Sequence, residues 1–152
     1  MKRYNTFLVL VFLSLSMSCA NAPVRVLGTQ EYGSIMFEND NYNEVLAASK
    51  LQNKPIFMDV YTNWCGWCKR LDYTTYLDPK VIKYVNANFI PLKVDAERGQ
   101  GQGVKLKYGI HSYPRLLFLD SNGKALVTIE GYRDAKGLLY SAIKAHNLYN
   151  SK

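Results

Sequence analysis

IFMDVYTNWCGWCK, residues 56–69, is the stretch on which the fold turns. Its first part, Ile56 to Tyr61, is an apolar run of strand length with one carboxylate inside it, Asp59. Two cysteines follow, Cys65 and Cys68, each preceded by a tryptophan, Trp64 and Trp67, and Lys69 comes after the pair. Beyond them, Cys68, Leu71 and Thr75 share one face at helical spacing, while Lys69 and Asp72 fall on another. The segment reads as strand, short turn, helix, with the cysteines where the helix begins.

Three chemistries use a Cys-x-x-Cys pair. A zinc site needs about four ligands, commonly two such pairs or one pair with two nearby histidines. Here there is one pair, and His111 and His146 are neither close in sequence nor spaced as ligands, so no metal is expected. A structural disulfide over so short a loop would remove little entropy from the unfolded chain. Redox chemistry explains the spacing better. Free backbone N–H groups and the dipole at a helix start favour negative charge, which lowers the pKa of the first thiol. The second thiol, one turn on, can attack the mixed disulfide that forms. A strand–turn–helix context raises the specificity of the motif.

Working outward, 42–51 has Val45, Leu46 and Ser49 on one helical face, and Asn53-Lys54-Pro55 ends it. Residues 34–38 read as a short strand. Asp78-Pro79 opens a helix whose apolar side is Val81, Ile82 and Val85. Residues 89–94 read as a second strand. The glycine-rich run 99–103 lacks the lysine and hydroxyl residue of a phosphate loop and reads as a flexible connection. A helix over 104–108 stops at Gly109. Residues 115–119 and 124–129, joined by Asp120-Ser121-Asn122-Gly123, read as an antiparallel hairpin. Asp134 caps a last helix with an apolar stripe of Leu138, Leu139, Ala142 and Ile143. The expected class is α/β, a central mixed sheet flanked by helices, with right-handed crossovers between the parallel strands.

The chain has 152 residues, 48% of them hydrophobic, which suits a single packed domain. Residues 1–22 read as an export signal: Lys2 and Arg3, an apolar core from Phe7 to Leu15, then small residues. The apolar run is far shorter than the ~20 residues that span a bilayer. Cys19 sits where the signal ends, and two readings stand side by side. In one it leaves with the signal. In the other it is the lipidated first residue of a lipoprotein, a lipid anchor, although Ser16 stands where such signals usually carry leucine. Residues 23–33 read as a flexible lead-in and 34–152 as the domain. Without Lys2 and Arg3 the formal charge falls from +7 to +5, scattered rather than clustered, so no nucleic-acid partner is expected. Export places the domain in an oxidising compartment that permits disulfides.

Together, Asp59, Trp64-Cys65-Gly66-Trp67-Cys68-Lys69, Lys107-Tyr108-Gly109-Ile110, Tyr113-Pro114 and Gly131 make the sequence resemble the thioredoxin-like superfamily, over roughly residues 40–147. The WCGWCK variant looks most like exported bacterial members related to the periplasmic ends of thiol:disulfide interchange systems. The resemblance implies Cys65 as attacking thiol, Cys68 as resolving thiol and a redox-active disulfide between them. It implies Asp59 as the buried acid that moves a proton for the second cysteine, in keeping with the raised pKa of a lone acid in an apolar strand. It implies Pro114 as a cis-proline beside the disulfide, with the backbone of Tyr113 pairing with an extended substrate. Trp64, Gly66 and Trp67 complete a substrate-binding rim.

Departures from the family pattern are also visible. Trp67 stands where thioredoxin has proline and oxidising relatives often have histidine. Tyr113 is bulkier than the usual residue before the proline. The buried lysine that accompanies the acid has no exact match, because Pro91 falls at its position and Lys93 two residues on. The expected activity is that of a thiol:disulfide oxidoreductase of the bacterial cell envelope, periplasmic or lipid-anchored. It would act as a monomer and a net reductase on cysteine-containing envelope proteins, fed by a membrane electron donor of the thiol:disulfide interchange type. No cofactor beyond the cysteines is implied. The alternatives are a disulfide oxidase or isomerase, and a thioredoxin-fold module that binds client proteins with little redox activity.

Overall fold

The computed structural model describes residues 33–151. Residues 1–22, read above as an export signal with Cys19 near its end, and nearly all of the expected lead-in lie outside them. In chain order the elements are β1 (Glu38–Asn39), α1 (Tyr42–Gln52), β2 (Ile56–Tyr61), α2 (Gly66–Tyr73), a 3-10 turn (Thr75–Leu77), α3 (Pro79–Asn88), β3 (Ile90–Asp95), α4 (Gly101–Lys107), β4 (Arg115–Leu119), β5 (Ala125–Glu130) and α5 (Ala135–Asn150). The sheet order is β1-β3-β2-β4-β5; β1, β3 and β2 are mutually parallel, and β4 and β5 antiparallel to their neighbours. This is the mixed sheet flanked by helices that the sequence predicts.

Alternation along the strands divides the core. Ile56, Met58 and Val60 pack on one face of the sheet with Val45, Leu92, Val94, Val104 and Leu117. Phe57 packs on the other with Leu71, Tyr76, Val85, Phe89, Phe118 and Leu138. Asp59 shares the parity of Phe57 and so points toward α2, the helix that carries the cysteines. Lys93, between Leu92 and Val94, points the same way. In the parallel register Asp59 lies opposite Lys93, and Pro91 lies opposite Phe57. Lys93, not Pro91, is therefore the residue beside the acid. Counting along one strand could not find this, because register between strands is set by packing across the sheet.

Several boundaries differ from the sequence reading. The strand expected over 34–38 is only Glu38–Asn39, although Ile35 is buried against the core. In α1 the buried face is Tyr42, Val45 and Ser49, with Leu46 half-buried. In α5 it is Leu138, Ala142 and Ala145, and Ile143 turns outward. The glycine run 99–103 is no plain connection: α4 begins at Gly101, which is buried against β3. A Cβ there would stand 1.8 Å from the Asp95 carbonyl oxygen, so close helix–strand packing requires glycine. Gly109 has φ 59° and ends α4 as expected. The helix starts at Asp78 and Asp134 are side-chain capped, through Lys80 and Val81 N–H for the first and Gly137 N–H for the second.

Candidate active site

β2 ends at Tyr61, and the turn that follows is closed by Cys65 N–H donating to the Thr62 carbonyl at 3.1 Å. Cys65 is the N-cap of α2, and its Sγ accepts from the Cys68 backbone N–H at 3.1 Å. That donor is one of the free N–H groups of the first turn, so the helix start bears directly on this sulfur. Cys65 and Cys68 form a disulfide with an S–S length of 2.08 Å. Both are buried, Cys68 at 2% exposure and Cys65 at 5%. Gly66 is exposed, with nothing within 4 Å of where a Cβ would be.

The start of β4 lies against the end of β2, with Arg115 opposite Val60. This brings the Tyr113–Pro114 peptide, which is cis, to the same end of the sheet as the cysteine turn. The Pro114 carbonyl accepts from Gly131 N–H at 2.8 Å, drawing the loop after β5 to the same place. Trp64 and Tyr113 meet edge to face with ring centres 5.8 Å apart, and the Trp64 indole N–H donates to Glu97 Oε1 at 3.0 Å. Trp67 leans the other way, 5.7 Å from the ring of Tyr132. Trp64 and Trp67 remain 67% and 55% exposed, while Tyr113 is half-buried and Pro114 buried. The structure thus gathers Cys65, Cys68, Trp64, Gly66, Trp67, Tyr113 and Pro114 at one end of the central strands.

Beneath them, Asp59 is fully buried, and neither carboxylate oxygen has a hydrogen-bond partner. Lys93 Nζ stands 3.8 Å from its Oδ2 and also pairs with Asp72 on α2. The ammonium lies 5.2–5.6 Å from the ring centres of Phe37, Tyr61 and Tyr76. Burial pushes the Asp59 carboxyl up to about 6, and the Lys93 charge and the Tyr76 hydroxyl work against that rise. The Tyr76 phenol is itself driven well up, by burial and by the Asp59 charge. Asp72 is partly open to solvent, so Lys93 links a buried acid to an accessible one.

The sequence reading missed Lys93 as the partner of Asp59, gave Asp72 only a helix face, and missed Tyr76, Glu97 and Tyr132. The one signal for Lys93 was strand alternation, which gives its face but not its register opposite Asp59. For the others none existed, since their positions depend on the non-local packing of α2, the 3-10 turn and two loops.

The model of the thioredoxin-like domain family matches residues 42–143. The thiol:disulfide interchange protein DsbD of Yersinia pestis (strain Pestoides F) is 30% identical over 95 residues, 60% of this chain and 16% of that protein. DsbD of Campylobacter jejuni (strain RM1221) is 29% identical over 102 residues, 66% of this chain and 18% of that protein. This chain therefore spans less than a fifth of these two relatives. Among solved structures, a disulphide-isomerase candidate from Bacteroides thetaiotaomicron is 38% identical with TM-score 0.66, covering 77% of this chain and 96% of that one. The oxidised C-terminal domain of DsbD from Neisseria meningitidis is 25% identical with TM-score 0.55, covering 65% of this chain and 87% of that one. With its mixed five-stranded sheet and its disulfide between Cys65 and Cys68 at the start of a helix, the chain belongs to the thioredoxin-like domain family.

Proposed function

We propose that this chain is a thiol:disulfide oxidoreductase that works as a net reductase on protein disulfides outside the cytoplasm. In the reduced form the Cys65 thiolate attacks a substrate disulfide. A mixed disulfide forms and one substrate sulfur leaves, taking a proton. The Cys68 thiol then gives its proton to the Asp59 carboxylate and attacks Cys65 Sγ. The second substrate sulfur takes the proton held by Asp59 and leaves as a thiol, and the Cys65–Cys68 disulfide remains. Two electrons pass from the protein dithiol to the substrate, and an external dithiol donor must return them. Tyr113 and Pro114 offer backbone to an extended substrate beside the disulfide.

The observation that carries the direction is the single hydrogen bond given to Cys65 Sγ. Its Sγ accepts one backbone N–H, and the residues between the cysteines, Gly66 and Trp67, bear no charge. Strong oxidants depend on a well-stabilised thiolate in the reduced form. Here the ionised Asp59 beneath the pair opposes a second anion. The disulfide is then the comfortable state, and the dithiol a good donor. The DsbD relatives, named thiol:disulfide interchange proteins, support a donor of that class upstream. The export reading of residues 1–22 supports a periplasmic or lipid-anchored location, and mass spectrometry of the mature N-terminus tests it. An unmodified start at Asn21 or later removes the lipid on Cys19.

The test is the reduction potential of the Cys65–Cys68 pair together with insulin reduction. We expect a potential near that of thioredoxin, about −270 mV, and a value near the oxidant end, about −120 mV, would reverse the assignment to oxidase. Cys65→Ser abolishes turnover. Cys68→Ser accumulates mixed disulfides with its partners. If wild type and Cys65→Ser are equally inactive while client binding persists, the binding-module reading replaces this one.

A further inference from the structure

The two aromatic pairs that flank the disulfide differ in charge. On one side Trp64 is tied to Glu97. On the other, the guanidinium of Arg70 lies 5.3 Å over the ring of Trp67 and 5.2 Å from that of Tyr132. Tyr132 is held in turn by Thr74, whose Oγ1 is 3.4 Å from its hydroxyl. Contact with two ring faces holds the guanidinium of Arg70 beside the aromatic pair at the protein surface. Three other cations near the site are already answered. Lys93 pairs with Asp59 and Asp72, Arg98 with Asp95, and Arg115 with Glu130. Among the described residues no carboxylate pairs with Arg70 or with its neighbour Lys69, and both are exposed. An arginine braced on two rings, without a carboxylate partner among the described residues and about one turn from the reactive cysteines, is a recognition group for an anion that arrives with the substrate.

We propose that Arg70, set against the paired rings of Trp67 and Tyr132, selects protein segments that carry a carboxylate next to the disulfide-bonded cysteine. The occupant is an extended acidic peptide segment. Its cysteine reaches Cys65 between the two aromatic pairs, and its carboxylate meets the Arg70 edge. Glu97 on the opposite side repels acidic side chains there and fixes the direction of the asymmetry. The inference rests on the oxidoreductase reading.

The test uses the full mature chain, reduced with dithiothreitol and desalted. It is oxidised by short synthetic peptides, each closed by an internal disulfide and differing only in the residues flanking one cysteine: glutamate, serine or lysine. Acid quench, alkylation and mass spectrometry give the second-order rate constants. The glutamate peptide should react roughly fivefold faster than the lysine peptide at low salt, the scale of one exposed ion pair. The preference should shrink toward unity at about 0.5 M salt. In Arg70→Glu the order should invert, and in Tyr132→Ala, where the guanidinium loses one of its two ring contacts, the ratio should fall. Comparing peptides within each variant cancels any change in thiol reactivity. Equal rates for all three peptides in wild type, or an unchanged preference in Arg70→Glu, overturn the proposal while leaving the oxidoreductase reading intact. No oxidation by any peptide, serine included, refutes both.

Discussion

Asp59 is a fully buried acid, and its titration has a sign that can be checked. Burial raises its carboxyl from 3.8 to about 6. Between those two values the folded chain holds a proton that the unfolded chain has released, so stability falls as pH rises through that window. The loss is on the order of 3 kcal/mol, complete above the folded value. Asp59→Asn keeps the shape and removes the titration. Urea unfolding should find the variant more stable than wild type at pH 7.5, with the gap closing as the pH drops to about 4; a gap independent of pH would refute the assignment. The same variant should slow insulin reduction at pH 7 on the order of 10²-fold if Asp59 takes the Cys68 proton. Lys93→Met removes the charge that holds this carboxyl down, so carboxyl titration followed by NMR should move above about 6. The acid itself was legible from its place in an apolar strand. Its partner was not, because nothing local to Lys93 announces that β3 sets it opposite Asp59.

At the scale of elements, local chemistry was readable wherever one residue dictates it. Asp78 with Pro79 starts α3 and Asp134 starts α5, each through side-chain bonds to first-turn N–H groups. The strand Arg115–Leu119 falls where an uninterrupted apolar run predicts it. The start of α4 was not readable, since three glycines within 99–103 speak against a helix by propensity and only contact with β3 explains them. Two of these glycines separate the causes. Gly101→Ala forces a Cβ into the Asp95 carbonyl and should cost about 2–3 kcal/mol or more, because backbone cannot step aside. Gly103 is an exposed residue of the same helix with nothing within 4 Å of a Cβ. Gly103→Ala should stabilise by about 0.5–1 kcal/mol. Thermal unfolding of the two variants should therefore move in opposite directions, and a matched shift would mean that the helix does not begin where the close contact places it.

For the whole molecule, redox state and folding form one thermodynamic cycle. The disulfide closes a loop of sequence separation 3, so its effect on the entropy of the unfolded chain is small. The difference in unfolding free energy between oxidised and reduced protein then measures how much the folded environment prefers the disulfide to the dithiol. About 1.4 kcal/mol of that difference corresponds to 30 mV in potential. The environment is built from distant parts. The start of α2 supplies one N–H to Cys65 Sγ, β2 and β3 supply Asp59 and Lys93, and the loops at Pro114 and Gly131 close over the same end of the strands. Reduction adds a thiolate above an acid that is ionised at neutral pH, which the low-charge surroundings resist. The oxidised protein should therefore need more urea to unfold than the reduced protein at pH 7.5. The gap should narrow below about pH 6, where Asp59 is protonated and no longer opposes the thiolate. A reduced form more stable than the oxidised one at pH 7.5 would mark an oxidant and overturn the reductase assignment, whatever the activity on insulin.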